Sequence, residues 1–270
     1  MNNIIAVTGH TGRLGSQLVG LGCIPINADI TCPKVLQSEI EGIEPDTIIH
    51  CAAITDVDKC ENVLATKARK VNIVGTHILR TCFSGRIIYM STDYVFDGRG
   101  GPYKENSNPN PISHYGTTKF MGEQIIRDHK YAKDIIVRTT ILYGGNKPDF
   151  VTGILGKFKD GYVFEVTKAL SGSPTYVPHL ADALIELCHL DWTPSVINIA
   201  GSNVLSRYEF ALMIANIFGY DPRLILPTME IKGAAPRPRN AGLKVDLAQK
   251  IGLPIYSVMD GLTEMKERMK

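Results

Sequence analysis

Short apolar runs alternate with stretches of helical period through the first half of the chain. Ile4 to Thr8 is rich in β-branched residues and ends in glycines, and Arg13 to Leu21 then follows the 3.6-residue period of an amphipathic helix. The alternation continues with a short strand at Cys23–Ile26, a short helix at Val35–Ile40, a strand at Thr47–Cys51 and a long helix at Ala65–Cys82. Arg86–Met90, Tyr115–His129 and Asp134–Arg138 extend it as strand, helix and strand. The strands are apolar at consecutive positions, so both of their faces are expected to be covered. That pattern predicts an α/β protein built on a Rossmann-type, doubly wound parallel sheet.

After Tyr143 the alternation becomes irregular, with glycine and proline punctuating residues 144–178 and again 227–240. A helix is expected at His179–His189, a strand at Val196–Ile199, and a helix from Ser206 to Phe218, where Ser206 and Glu209 have the spacing of a capping box. The chain is therefore expected to divide into a Rossmann domain over residues 1–143 and a smaller, loop-rich part over residues 144–270, some of whose segments return to the Rossmann core.

Composition narrows the class of function. With 44% hydrophobic and 21% charged residues over 270 positions, the chain can bury a sizeable core, which removes disordered and fibrous classes. Its 29 basic and 27 acidic residues leave a net charge of +2, which offers no electrostatic footprint for nucleic acid or an anionic membrane. No long apolar run predicts a membrane span, and Met1-Asn2-Asn3 leads straight into the first strand without the features of an export signal, so a cytoplasmic protein is expected. The six cysteines are scattered without Cys-x-x-Cys spacing and read as reduced thiols, mostly small core residues, with no metal site. Small-molecule chemistry is the class that remains.

Thr8-Gly9-His10-Thr11-Gly12-Arg13-Leu14-Gly15 sets glycines three apart between the first strand and the first helix. An ordinary glycine-rich turn has the same spacing. Its place at a strand-to-helix junction decides for dinucleotide binding, because backbone N–H groups and the helix N-terminus can there receive a pyrophosphate. Asp29 lies 20 residues after Gly9, where a carboxylate accepts from an adenosine ribose. Arg13 is placed to meet a 2′-phosphate instead, so NAD(H) and NADP(H) both stay open.

Tyr115 and Lys119 stand four residues apart at the start of a helix, which brings phenol and ammonium onto one face. A nearby lysine charge favours phenolate and is expected to lower the tyrosine pKa toward the working range. Ser91-Thr92-Asp93 follows a buried strand at the carboxyl edge of the sheet, where a hydroxyl can hydrogen-bond a substrate carbonyl. Glycine turn, strand-end hydroxyl and Tyr/Lys pair together suit hydride transfer between a nicotinamide and a carbonyl.

These residues resemble the extended short-chain dehydrogenase/reductases, and within them the dTDP-4-dehydrorhamnose reductase group. The phrases that carry the resemblance run in family order: the glycine turn, Ala52-Ala53-Ile54-Thr55-Asp56-Val57-Asp58-Lys59-Cys60-Glu61, Ser91-Thr92-Asp93-Tyr94-Val95-Phe96-Asp97-Gly98, Tyr115-x-x-x-Lys119, Arg138-Thr139, Gly172-Ser173-Pro174-Thr175 and Arg237-Pro238-Arg239-Asn240. The resemblance implies a catalytic set of Thr92, Tyr115 and Lys119. It implies cofactor contacts from Gly9, Thr11, Gly12, Arg13, Leu14, Gly15, Asp29, Ile30, Ala52, Ala53 and Ile54 together with Tyr115 and Lys119. It further implies a nucleotide-linked 4-keto-6-deoxy sugar as substrate, met by Thr92, Asp93, Arg237 and Asn240, with a homodimer as an allowed assembly.

Three positions depart from the pattern. Ile141 stands where the bacterial reductases carry a tryptophan against the sugar, Gln17 stands at the acidic position linked to a magnesium-bridged dimer, and the loop before Asp29 is short. The stretches Arg138–Gly144 and Arg237–Ala241 are similar also to the regulatory β subunit of methionine adenosyltransferase, an NADP-binding partner protein, although that subunit lacks the intact Thr92-Asp93 pair. A combined epimerase/reductase would want a cysteine where this chain has Tyr94.

Overall fold

The computed structural model describes residues 3–128, 133–190 and 192–269. In chain order the first half contains β1 (Ile5–Thr8), α1 (Arg13–Gly20), β2 (Ile24–Ile26), α2 (Pro33–Ile43), β3 (Thr47–His50), α3 (Val57–Glu61), α4 (Ala65–Arg69), α5 (Thr76–Cys82), β4 (Arg86–Thr92), α6 (His114–Asp128) and β5 (Ile135–Thr139). The second half adds β6 (Leu142–Tyr143), α7 (Phe150–Asp160), β7 (Phe164–Thr167), β8 (Ser171–Gly172), β9 (Thr175–Tyr176), α8 (Val177–His189), β10 (Val196–Asn198), β11 (Leu205–Ser206), α9 (Arg207–Phe218), β12 (Ile225–Thr228), α10 (Asp246–Lys250) and α11 (Val258–Arg268). Among the described residues, no helix is long and apolar enough to cross a membrane. The end predicted for the α6 helix, His129, lies outside the described residues.

Six strands form one sheet in the order β10-β5-β4-β3-β1-β2, every neighbouring pair parallel. Read from β2, this is the doubly wound order 2-1-3-4-5 with β10 added, and its direction reverses between β1 and β3. Successive strand residues point to opposite faces, and here both faces are apolar. Val7, Ile49, Ile88 and Val137 face α1 and α8, packed on Leu14, Leu18, Val177, Leu180 and Leu184. Ala6, Ile48, Ile87 and Ile136 face Leu36, Ile40, Leu79 and Ile126 of α2, α5 and α6. Full burial of each such isoleucine or leucine contributes about 1.5–3 kcal/mol. Pro25 sits in β2, an edge strand, where a missing N–H is tolerated.

Several elements differ from expectation. The long helix predicted over Ala65–Cys82 is α4 and α5 joined by a π-helical turn at Lys70–Gly75. The extra residue in that turn carries Asn72 inward, where it is 1% exposed and bonded to groups far along the chain. The irregular stretch after residue 144 contains α7, started by a capping box between Asp149 and Thr152, and α11 starts with another between Ser257 and Asp260. With α9, capped by Ser206 and Glu209 as expected, they enclose a separate core that includes Val151, Ile154, Phe158, Phe210, Ile214 and Leu262. Cys23, Cys60 and Cys188 are buried and Cys32 is exposed; all six cysteines are free.

Candidate active site

The glycine turn lies at the carboxyl end of β1, beside the reversal in strand order. Gly9 has φ +70°, and a Cβ there would stand 2.6 Å from the Ala52 nitrogen. A Cβ on Gly15 would come within 2.3 Å of the Gly9 carbonyl oxygen. Only glycine allows α1 to sit this close to the turn. Gly12 is the N-cap of α1, no side chain caps the helix, and its first turn holds no acid. The N–H groups of that turn therefore keep their capacity for an anion, and the helix dipole favours one. A dinucleotide's pyrophosphate fits this cradle by charge and by space.

A buried network holds the neighbouring strand end. Thr8 Oγ1 lies 2.7 Å from His50 Nδ1, and His50 Nε2 lies 3.1 Å from Thr76 Oγ1. Burial drives the His50 pKa down to about 3, with the Lys119 charge adding to the effect, so the ring is neutral. Thr76 Oγ1 donates to the Asn72 carbonyl, which makes it the acceptor from Nε2–H and makes Nδ1 the acceptor from Thr8. Asn72 in turn accepts from Ile54 N at 2.8 Å and donates to Ile54 O and Thr118 Oγ1, both at 3.0 Å. The Ala52–Ile54 segment is thereby pinned opposite the glycine turn.

A cleft of about 530 Å³ opens over these strand ends. Gly9, Gly12, Arg13, Leu14, Gly15 and Ala53 line one part of it, and Thr92, Asp93, Tyr115 and Lys119 line another. Thr92 ends β4, which runs two residues beyond the predicted Met90; its hydroxyl donates to Asp93 Oδ1 at 3.0 Å and accepts from Tyr94 N at 3.2 Å. Tyr115, in the first turn of α6, is 8% exposed and meets the Tyr94 ring edge-on at 5.6 Å.

Electrostatics correct one expectation. Burial pushes the Tyr115 phenol well above its ordinary value, with the Thr92 hydroxyl opposing the rise. Lys119 does not offset it: its ammonium lies 4.0 Å from the Tyr89 ring centroid, and burial pulls its own pKa down to about 7, with the Glu123 charge opposing the fall. Desolvation outweighs the lysine field, so Tyr115 is a protonated phenol at neutral pH. Burial likewise raises Asp93 to about 6, which the Thr140 and Thr92 hydroxyls and the Arg207 charge only partly offset.

Other predicted residues take different places. Thr11 is exposed at the tip of the turn, and Asp29 is exposed with Oδ1 accepting from Thr31 N and Oγ1, each at 2.8 Å. Those hydrogen bonds hold its carboxyl below the usual range. The Ile30 side chain is buried in the core against Gly75. Arg13 is not available for a 2′-phosphate: its guanidinium donates to Gly144 O, Lys147 O and Pro148 O at 2.7, 2.8 and 2.6 Å and pairs with Asp149 at 3.1 Å. Arg237 is paired with Asp58 at 2.6 Å and donates to Ala235 O. Asn240 does not line the cleft; its amide donates to Gly101 O at 2.8 Å and holds the turn that follows Gly98. Sequence reasoning missed Arg207, Thr140 and Thr55 on the cleft wall. Ile141 does line it and holds a φ of +46°, a strained value for a β-branched residue.

The doubly wound sheet, the glycine turn and the cleft at the reversal of strand order define a Rossmann-type dinucleotide-binding protein. The chain belongs to the RmlD substrate binding domain family, whose model it matches over residues 2–270. It is 33% identical over 256 residues to a dTDP-4-dehydrorhamnose reductase of Mycobacterium tuberculosis, covering 88% of this chain and 83% of that protein. It is 32% identical over 276 residues to methionine adenosyltransferase 2 subunit beta of Xenopus tropicalis, covering 92% of this chain and 82% of that one. The crystal structure of dTDP-4-dehydrorhamnose reductase from Bacillus anthracis in complex with NADP superimposes with a TM-score of 0.91 at 30% identity, covering 99% of this chain and all of that one.

Proposed function

We propose that this protein is a cytoplasmic NAD(P)H-dependent reductase of the C4 carbonyl of a nucleotide-linked 4-keto-6-deoxyhexose, of the dTDP-4-dehydrorhamnose reductase type, and that it completes an L-rhamnose-like sugar donor. The observation that carries this reading is the protonated Tyr115 phenol set with Thr92 and Lys119 in the same cleft as the uncapped N-terminus of α1. The free cysteines fit a reducing compartment.

NAD(P)H, when bound, supplies the hydride that adds to C4. Gly9, Gly12, Leu14 and Gly15 hold its pyrophosphate, Ala52, Ala53 and Ile54 line its path, and Asp29 accepts from a ribose hydroxyl. Thr92 donates to the carbonyl oxygen and orients it. Tyr115 transfers its proton to O4 as charge builds there, so hydride and proton together convert the ketone to an alcohol. Lys119 holds the ribose of the nicotinamide, and its charge, when it is protonated, steadies the phenolate that Tyr115 becomes. Asp93 contacts the sugar.

The test is oxidation of NADPH and of NADH with dTDP- and UDP-linked 4-keto-6-deoxy sugars. Tyr115→Phe is expected to lower kcat by about 100-fold or more while cofactor affinity stays within about twofold, because only the acid is removed. Turnover like wild type in that variant would end the mechanism. Tight NADP(H) binding without turnover on either sugar would favour a non-catalytic partner protein, the reading that the similarity to the Xenopus tropicalis subunit supports.

A further inference from the structure

We infer that Arg207, the first residue of α9, is the cation that receives the diphosphate of the substrate. The inference deepens the reading of the cleft as a nucleotide-sugar site and rests on it. Among the described residues, the cations that line the cleft are Arg13, Lys119, Lys147 and Arg207. Arg13 is consumed by the loop at residues 144–149, and Lys147 belongs to that same loop beside the glycine turn. Lys119 lies against the Tyr89 ring. Arg207 stands close enough to Asp93 for their charges to interact.

Its guanidinium has no hydrogen-bond or ion-pair partner among the described residues, yet it is set in place. The Arg207 amide donates to Leu170 O at 2.9 Å, Ser206 and Glu209 cap the helix around it, and the guanidinium carbon lies 5.1 Å from the Phe150 ring centroid. A cation held over an aromatic ring keeps its N–H donors free for a planar, two-pronged contact with phosphate oxygens. Arg207 is half-buried with the Asp93 charge nearby, and an arriving diphosphate supplies the hydrogen-bond acceptors that its N–H groups lack. Arg237, which the family resemblance places at the substrate, already has Asp58 as its counter-ion.

The experiment measures binding of dTDP, UDP and thymidine to the NADPH-loaded protein by calorimetry, for wild type, Arg207→Met and Arg207→Lys. Arg207→Met is expected to weaken dTDP or UDP binding by about 10- to 100-fold and to leave thymidine and NADPH affinities within about twofold, with Arg207→Lys recovering part of the loss. Diphosphate affinity unchanged in Arg207→Met overturns the inference and leaves the reductase reading standing. So does an equal loss for thymidine and dTDP, which would make Arg207 a shaper of the cleft. Wild-type protein that binds neither dTDP nor UDP overturns the nucleotide-sugar reading and the inference with it.

Discussion

The parallel sheet and the part that follows residue 144 reach order by different routes. In the sheet, β1, β3, β4 and β5 each pair on both sides, and their apolar residues alternate between two covered faces. Outside that sheet the ladders are isolated pairs: β6 pairs β9 and β8 pairs β11 over two residues each, and β7 pairs β12 over four. Side-chain clasps take over there. Asp149 with Thr152, Ser206 with Glu209 and Ser257 with Asp260 start α7, α9 and α11, and Arg13 reaches across from α1 to fasten the loop at 144–149. A ladder couples many backbone groups at once, so a failure inside the sheet spreads; a clasp fixes one segment, so its loss stays local. The cleft lies where the two meet, with Thr92, Tyr115 and Lys119 on the cooperative side and Ile141, Lys147 and Arg207 on the clasped side.

The sharpest way to test this contrast is inside the sheet region. Glu123 and Arg138 are fully buried and joined by hydrogen bonds of 2.9 and 2.7 Å, and Ser91 donates to the same carboxylate at 2.6 Å. Glu123→Gln is expected to cost about 3–5 kcal/mol in urea unfolding, spread over all probes, since it leaves a guanidinium buried without its counter-charge. A loss below about 1 kcal/mol would show that the sheet tolerates its broken pair and would remove the contrast.

A smaller effect is expected at the boundary, with a pH signature. Burial raises the Asp93 pKa from 3.8 to about 6, so the folded state holds this proton more tightly than the unfolded chain. The carboxyl's contribution to stability is therefore complete below about pH 4 and is lost as pH rises through about 6. Asp93→Asn is expected to stabilise the protein by about 1–3 kcal/mol at pH 8, with the gain gone at pH 4, while kcat/KM falls by about tenfold or more. Thermal unfolding at the two pH values checks the sign. A gain of equal size at both would exclude titration of Asp93 as its source.

The smallest effect belongs to the clasp. Arg13→Met removes three carbonyl contacts and an ion pair from a side chain only 18% exposed, and about 1–2 kcal/mol of local stability is expected to go with them. Hydrogen exchange should accelerate at residues 144–149 and stay unchanged in β3 and β4. Acceleration throughout the sheet would mean that Arg13 supports the whole fold.

What could be read in advance follows the range of the interactions involved. Strands with consecutive apolar residues, the glycine turn and the four-residue step from Tyr115 to Lys119 depend on near neighbours, and each lies at or within a few residues of its expected place. The π-helical turn at Lys70–Gly75 depends on Asn72 meeting Ile54 and Thr118, which local periodicity does not register. Arg13 and Arg237 carried the right charge for phosphate, but their partners stand 131 to 136 and 179 residues away, and pairing with them changed what each arginine is free to do. Arg207 had no local mark beyond following a helix cap.

The sequence by itself determined the doubly wound sheet, the dinucleotide turn and the types of group available for chemistry, because periodicity, glycine spacing and helical geometry are short-range properties. Tertiary structure decided which charges are spent on partners and which remain for a ligand. It also decided that Tyr115 is a protonated acid and that Asp93 titrates near 6, because desolvation and ion pairing depend on what the fold packs around a group.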